Sequence, residues 1–146
     1  MDELRAVVFE LRPASLEAEG LGSVLRKHVD VLRRVSERPI ELTLGDPPRL
    51  AAGASAQVFR IAQEALQNAL RHADAEHIEV RLEDGGGALV LCVADDGRGF
   101  DVTDAAVRGR RLGLTSMEER AAELGGTLAI ESSEGKGTRV RLEVAA

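Results

Sequence analysis

Leu89-Val90-Leu91-Cys92-Val93-Ala94-Asp95-Asp96-Gly97-Arg98-Gly99-Phe100 is an apolar run that ends on an acid and opens into two spaced glycines. An uncharged run of that length reads as a buried strand, and Asp-Gly is a natural exit from a strand into a loop. Upstream, Gln63-Glu64-Ala65-Leu66-Gln67-Asn68-Ala69-Leu70-Arg71-His72 carries the 3.6-residue rhythm of a helix. That helix is predicted over 55–73, with Val58, Ala62, Ala65, Leu66, Ala69 and Ala73 on one face and Ile61, Asn68 and His72 at its edge. Glu64 and Asn68 stand four residues apart, so both project at the rim of the core.

Working outward, residues 1–11 have helical spacing that Pro13 stops, and Leu21, Val24, Leu25, His28, Val29, Leu32 and Val35 mark a second amphipathic helix. Pro39 to Leu44 reads as a short strand. Ile78, Val80 and Leu82 alternate with Glu79, Arg81 and Glu83, the period of a strand wet on one face. Gly85-Gly86-Gly87 turns that strand into the run ending at Asp95. A short helix is predicted over 115–124, closed by Gly125-Gly126, and a second hairpin pairs 127–132 with 138–144. Cys92, in an apolar strand, reads as a small core residue. The sum is an α+β fold: a two-layer α/β sandwich whose mixed, mostly antiparallel sheet carries helices on one face.

Composition narrows the function classes. A chain of 146 residues with 44% apolar and 30% charged residues is one globular domain. It shows no signal peptide and no apolar run of membrane-span length. A net charge of −6 argues against direct nucleic-acid binding, and three Phe as the only aromatic residues leave few stacking platforms. One cysteine implies no disulfide framework and fits a reducing compartment.

The motifs carry chemistry. An Asn amide oxygen at a helix rim can ligate Mg²⁺, a hard ion that takes few protein ligands and leaves room for phosphate oxygens. Glu64 beside it can orient a water on that metal or help position a nucleophile; the plainer alternative is a solvated polar stripe. Asp95, at the end of an apolar strand, can accept from an exocyclic amine such as adenine N6, while Gly97 and Gly99 let backbone approach a purine without a Cβ in the way. An ordinary Asp-Gly turn is the alternative. Gly113-Leu114-Thr115-Ser116-Met117 opens a helix whose N–H groups suit phosphate oxygens, or simply begins one. Gly135-Lys136-Gly137-Thr138 fails as a P-loop, since Gly137 follows the Lys, and reads as a hairpin turn whose Thr138 hydroxyl reaches the adenine site.

In this order and spacing, the four segments resemble the catalytic and ATP-binding domain of bacterial sensor histidine kinases, in the ATPase superfamily shared with DNA gyrase, Hsp90 and MutL. Leu11-Arg12-Pro13-Ala14-Ser15-Leu16, Gly20-Leu21 and Leu114-Thr115-Ser116-Met117-Glu118-Glu119-Arg120-Ala121 are similar to the subfamily that pairs with helix-turn-helix response regulators. The resemblance implies Mg²⁺-ATP as ligand, Asn68 as the Mg²⁺ ligand, Glu64 as its activating neighbour and Asp95 as the adenine acceptor. It further implies Gly97, Gly99, Gly113, Leu114 and Thr138 around the nucleotide, with Arg71 and His72 as phosphate contacts. Its partners would be a dimerisation and phosphoacceptor domain and a cognate response regulator. The domain would be cytoplasmic and without membrane contact of its own, whether or not its parent kinase is membrane-anchored.

Two departures stand out. Where the second glycine box usually reads Gly-x-Gly-Leu, this chain has Arg111-Leu112-Gly113-Leu114, and Arg108, Arg110 and Arg111 form a basic cluster. None of His28, His72 and His77 has the context of a phosphoacceptor. His28 falls on an apolar stripe and reads as a core residue; His77 reads as surface. Residues 1–12 resemble the tail of a dimerisation helix and 13–146 the ATP-binding domain, so the chain reads as a fragment unable to label itself. Residues 101–112 are expected to form a mobile lid. An anti-sigma-factor serine kinase and a non-catalytic module with a degenerate nucleotide site are the competing readings.

Overall fold

Alternation builds the sheet. Along β2 (Ile78–Asp84), Ile78, Val80 and Leu82 are buried, while Glu79, Arg81 and Glu83 face the other way. Along β5 (Thr138–Ala145), Val140, Leu142 and Val144 repeat the pattern. Residues two apart point to the same side of a strand, so each series presents one apolar face. Full burial of such a side chain is worth about 1.5–3 kcal/mol. This computed structural model describes residues 13–71, 73–101, 103–104 and 113–146.

The remaining strands are β1 (Ile40–Leu44), β3 (Ala88–Asp95) and β4 (Thr127–Ser132), and the sheet order is β1-β2-β3-β5-β4. Among the described residues only β1 and β2 pair in parallel; every other neighbour is antiparallel. The parallel pair is joined by the long helix α2 (Ala52–Arg71), because a parallel return needs a crossover. With α1 (Pro13–Ser36) and α3 (Leu114–Glu123), α2 covers the apolar face, and the sandwich matches the expected α+β class.

Three details correct the sequence reading. Helix α2 is buried more widely than one stripe: Phe59, Ile61 and Leu70 are as enclosed as Val58 and Leu66, since α2 touches α1, α3 and the sheet. Helix α1 already runs from Pro13, ahead of the expected stripe that begins at Leu21, and is broken at Gly20, whose φ of 82° and ψ of 163° lie outside helical geometry. Cys92 is not in the core. It pairs across the ladder with Arg81 and Arg141 on the helix-free face, half-buried, while Leu89, Leu91 and Val93 take the core side. His28, by contrast, is the core residue expected: it is 3% exposed, edge-on to Phe59 at 5.4 Å, and burial lowers its pKa to about 4. His77 is on the surface, as expected. The tail assigned to residues 1–12, His72, Arg108, Arg110, Arg111 and most of the expected lid lie outside the described residues.

Candidate functional site

Asp95 continues the core-facing series Leu89, Leu91, Val93, so its carboxylate emerges on the helix side where β3 ends. Gly97 N–H donates to its Oδ1 at 2.8 Å, and Asp95 sits opposite Thr138 of β5. Burial pushes the Asp95 carboxyl above its usual range, against the pull of the Gly97 and Thr138 N–H groups. A half-buried carboxylate with accepting capacity is the chemistry that recognises an amine.

The loop after Asp95 is clamped on both sides. Asp96 Oδ1 accepts from the N–H groups of Glu76 and His77, each at 2.9 Å, and His77 Nδ1 lies 3.0 Å from its Oδ2. The His77 backbone N–H, then its ring, hold the Asp96 carboxyl below the usual range. Arg98 N–H donates to Ala73 O at 2.8 Å, and Arg98 O accepts from Gly135 N–H at 2.6 Å. The loop thus bridges the end of α2 and the β4–β5 turn. The two glycines also have a reason within the protein itself. A Cβ on Gly97 would lie 2.3 Å from Ala73 O; one on Gly99, where φ is 62°, would lie 2.1 Å from Ser133 O.

Ser132, absent from the sequence reading, joins this end together. It accepts from Phe100 N–H at 2.8 Å, donates to Gly137 O at 3.1 Å, and its Oγ is 2.9 Å from Thr138 Oγ1. The hairpin register carried the signal: Ser132 is the last residue of β4 and Thr138 the first of β5, so the two are cross-strand partners. A cleft of about 680 Å³ opens here, lined by Asp95, Ile130, Ser132, Lys136, Gly137 and Thr138 among others.

The other end is made by helices. Gly113, left-handed at φ 68°, precedes α3, and no side chain caps the helix. A Cβ on Gly113 would come within 1.9 Å of Glu64 Oε1, which places the α2 carboxylate against the start of α3. Leu114 itself is buried, so it anchors that helix start in the core. Burial raises the Glu64 pKa, and the guanidinium groups of Arg120 and Arg71 oppose it. Arg120 Nη1 donates to Gln57 Oε1 at 2.6 Å and Gln57 Nε2 to Glu123 Oε2 at 2.8 Å, tying α3 to α2. Asn68 is half-buried one turn along from Glu64, and Arg71 is exposed at the last turn. Among the described residues no group of three His, Cys, Asp or Glu could hold a metal ion. A lone amide oxygen fits instead an ion that keeps water and phosphate oxygens as its main ligands.

The structure therefore brings Asp95, Gly97, Gly99 and Thr138 together at one end, and Glu64 and Gly113 at the other. No helix among the described residues is long and apolar enough to cross a membrane. The family model described as histidine kinase-, DNA gyrase B-, and HSP90-like ATPase matches residues 53–146. Over 98% of its length the chain is 38% identical to the sensor histidine kinase LiaS of Bacillus subtilis (strain 168), of which it covers 39%. Over 97% it is 30% identical to the signal transduction histidine-protein kinase/phosphatase DegS of Brevibacillus brevis, covering 36% of that protein. It thus spans less than half the length of these curated relatives. Among solved structures, the histidine kinase domain from the Erythrobacter litoralis EL346 blue-light activated histidine kinase superposes with a TM-score of 0.72 at 23% identity, over 85% of this chain and 64% of that one. The mycobacterial sensor histidine kinase MprB gives 0.61 at 20% identity, over 85% of this chain and 91% of that one. These two likenesses speak for the fold.

Proposed function

This chain belongs to the histidine kinase-, DNA gyrase B- and HSP90-like ATPase family, and from that premise we propose that it is the ATP-binding catalytic domain of a cytoplasmic sensor-kinase module. It binds Mg²⁺-ATP and presents the γ-phosphate to a His on a dimerisation domain, for relay to a response regulator. The observation that carries the reading is Asp95: a half-buried carboxylate at the end of β3, braced by Gly97 N–H and facing the helix layer that holds Glu64 and Asn68.

Asp95 accepts from the exocyclic amine of adenine and fixes the base. Asn68 offers its amide oxygen to Mg²⁺, which when bound neutralises phosphate charge and orients the terminal phosphoryl group. Glu64, kept partly desolvated against Gly113, receives or steers a proton at the attacking nucleophile. The N–H groups at the start of α3, left without a side-chain cap, favour phosphate oxygens, and Arg71 adds positive charge at the end of α2. His28, enclosed against Phe59, is shielded from any phosphoryl donor.

Titration calorimetry with ATP, with and without Mg²⁺, tests the binding. Incubation with γ-labelled ATP tests the transfer: the chain alone stays unlabelled, and a separately added dimerisation segment bearing an acceptor His becomes labelled weakly, because the two are untethered. Robust acid-labile labelling of the chain alone would contradict the division of labour, and absence of ATP binding would contradict the reading itself.

A further inference from the structure

Ser132 has one proton and two lone pairs, and three neighbours compete for them. Phe100 N–H, at 2.8 Å, uses one lone pair. Gly137 O, at 3.1 Å, is an acceptor and takes the proton. Thr138 Oγ1, at 2.9 Å, is then bonded only if its own hydroxyl donates to the second lone pair of Ser132. This is the one arrangement in which all three contacts are hydrogen bonds. Turning the Ser132 proton to Thr138 would forfeit the bond to Gly137 O.

The consequence lies in the cleft. With its proton spent on Ser132, the Thr138 hydroxyl faces a ligand with lone pairs only. Asp95, its cross-strand partner, is likewise an acceptor. Asp95 and Thr138 thus offer acceptors from both strands to a cleft that Lys136 and Arg139 also line. A purine bearing an amine at C6 meets those acceptors with donors, whereas a purine bearing a carbonyl there sets lone pairs against lone pairs. We propose that Ser132 is a specificity-determining positioning residue: it locks Thr138 as an acceptor, holds the Gly97–Phe100 loop to the β4–β5 turn, and thereby selects a 6-amino over a 6-oxo purine nucleotide. The inference rests on the assignment of the purine end to Asp95.

The full chain is titrated with ATP and with inosine triphosphate, which carries oxygen in place of the C6 amine and a proton on N1. The wild type prefers ATP. In Ser132→Ala, Thr138 regains a free proton and can donate to the 6-oxo group, so the preference shrinks by about tenfold, the scale of one hydrogen bond. Ser132→Thr keeps the hydroxyl and restores the preference. Thr138→Val, which leaves the Ser132 hydroxyl and the loop in place, also shrinks it, and the double substitution shrinks it no further. Should Ser132→Ala fold poorly, Thr138→Val decides the matter alone. Equal weakening of both nucleotides in these variants, leaving their ratio unchanged, would mean Ser132 is structural only and overturns the proposal. That outcome is distinct from failure of the purine-end assignment, in which Asp95→Ala leaves ATP affinity untouched and both ideas fall together.

Discussion

The two ends of the candidate nucleotide site are built from different materials. The Asp95 end is backbone and short side chains: Arg98 bonded to Ala73 and Gly135, Ser132 shared by Phe100, Gly137 and Thr138, and glycines pressed against neighbouring carbonyls. The Glu64 end is long side chains from two helices, with Arg120, Gln57 and Glu123 linking α3 to α2. Short, fully bonded groups lose little entropy on ordering and form a fixed surface; long charged chains hold position only through their partners. The difference assigns a role to each end. A base can be recognised by a fixed wall, whereas a phosphate that must depart needs groups that can move.

If the Asp95 end is held by close approach, adding a methyl group there does the greatest damage. Gly97→Ala drives a Cβ into Ala73 O, a backbone atom that cannot rotate away. We expect a loss of about 3 kcal/mol, and a fall in melting temperature of roughly 10 °C. Gly135→Ala is the control: its φ is 79° but nothing lies within 4 Å of the added atom, so only the conformational cost of about 1 kcal/mol remains. Equal thermal shifts for the two would break the distinction between space and conformation.

Next in size is Asp95. Asp95→Ala should weaken ATP roughly 10- to 100-fold, the range of a lost hydrogen bond to a charged acceptor. Asp95→Asn should separate recognition from folding. Because burial raises the carboxyl pKa, ionising it costs folding stability, and the neutral amide relieves that cost while binding adenine less well. Calorimetry and thermal melts on the same samples read both; an Asn variant that is weaker in binding and also less stable would contradict the account.

Asn68→Ala addresses the Glu64 end. It should reduce the Mg²⁺-dependent part of ATP affinity by about tenfold while leaving Mg²⁺-free binding nearly unchanged. Identical losses with and without Mg²⁺ would show that Asn68 touches the nucleotide otherwise than through the metal.

Much of this division was legible in the sequence, and the exceptions have physical causes. Strand alternation over 78–83 and the apolar run to Asp95 gave the sheet, since period 2 leaves one register that buries Val80 and Leu82. The same period, followed strictly, would have put Cys92 on the face opposite Leu91; its apolar neighbours hid that. The width of the buried surface on α2 was not legible, because burial of Phe59 and Leu70 depends on how many elements pack around the helix. Gly97 and Gly99 were recognisable as required glycines; that Ala73 O and Ser133 O also require them was not, because both lie distant in sequence. Ser132 and Arg120 act through partners across a hairpin and between helices, which no local motif encodes.

The smallest effect compares two acids of opposite sign. At the Glu64 end, burial raises the Glu64 pKa above its ordinary value of 4.5. A raised acid holds its proton more tightly in the folded state, so its contribution is greatest below pH 4.5 and declines as pH climbs toward the folded value. At the Asp95 end, Asp96 is lowered below 3.8 by the His77 N–H and ring, so its contribution is present above pH 3.8 and lost as pH falls further. Urea melts across pH 3 to 7 should therefore separate two variants. Glu64→Gln should flatten the decline on the alkaline side of pH 4.5 and leave nucleotide affinity almost intact, since the amide keeps the shape against Gly113. Asp96→Asn should lower stability over the neutral range and flatten the acid limb, since the amide accepts less strongly from the Glu76 and His77 N–H groups. If both variants change the pH profile in the same direction, the contrast between a desolvated helix-borne carboxylate and a hydrogen-bonded loop carboxylate is wrong, and with it the view that the two ends are held by different forces.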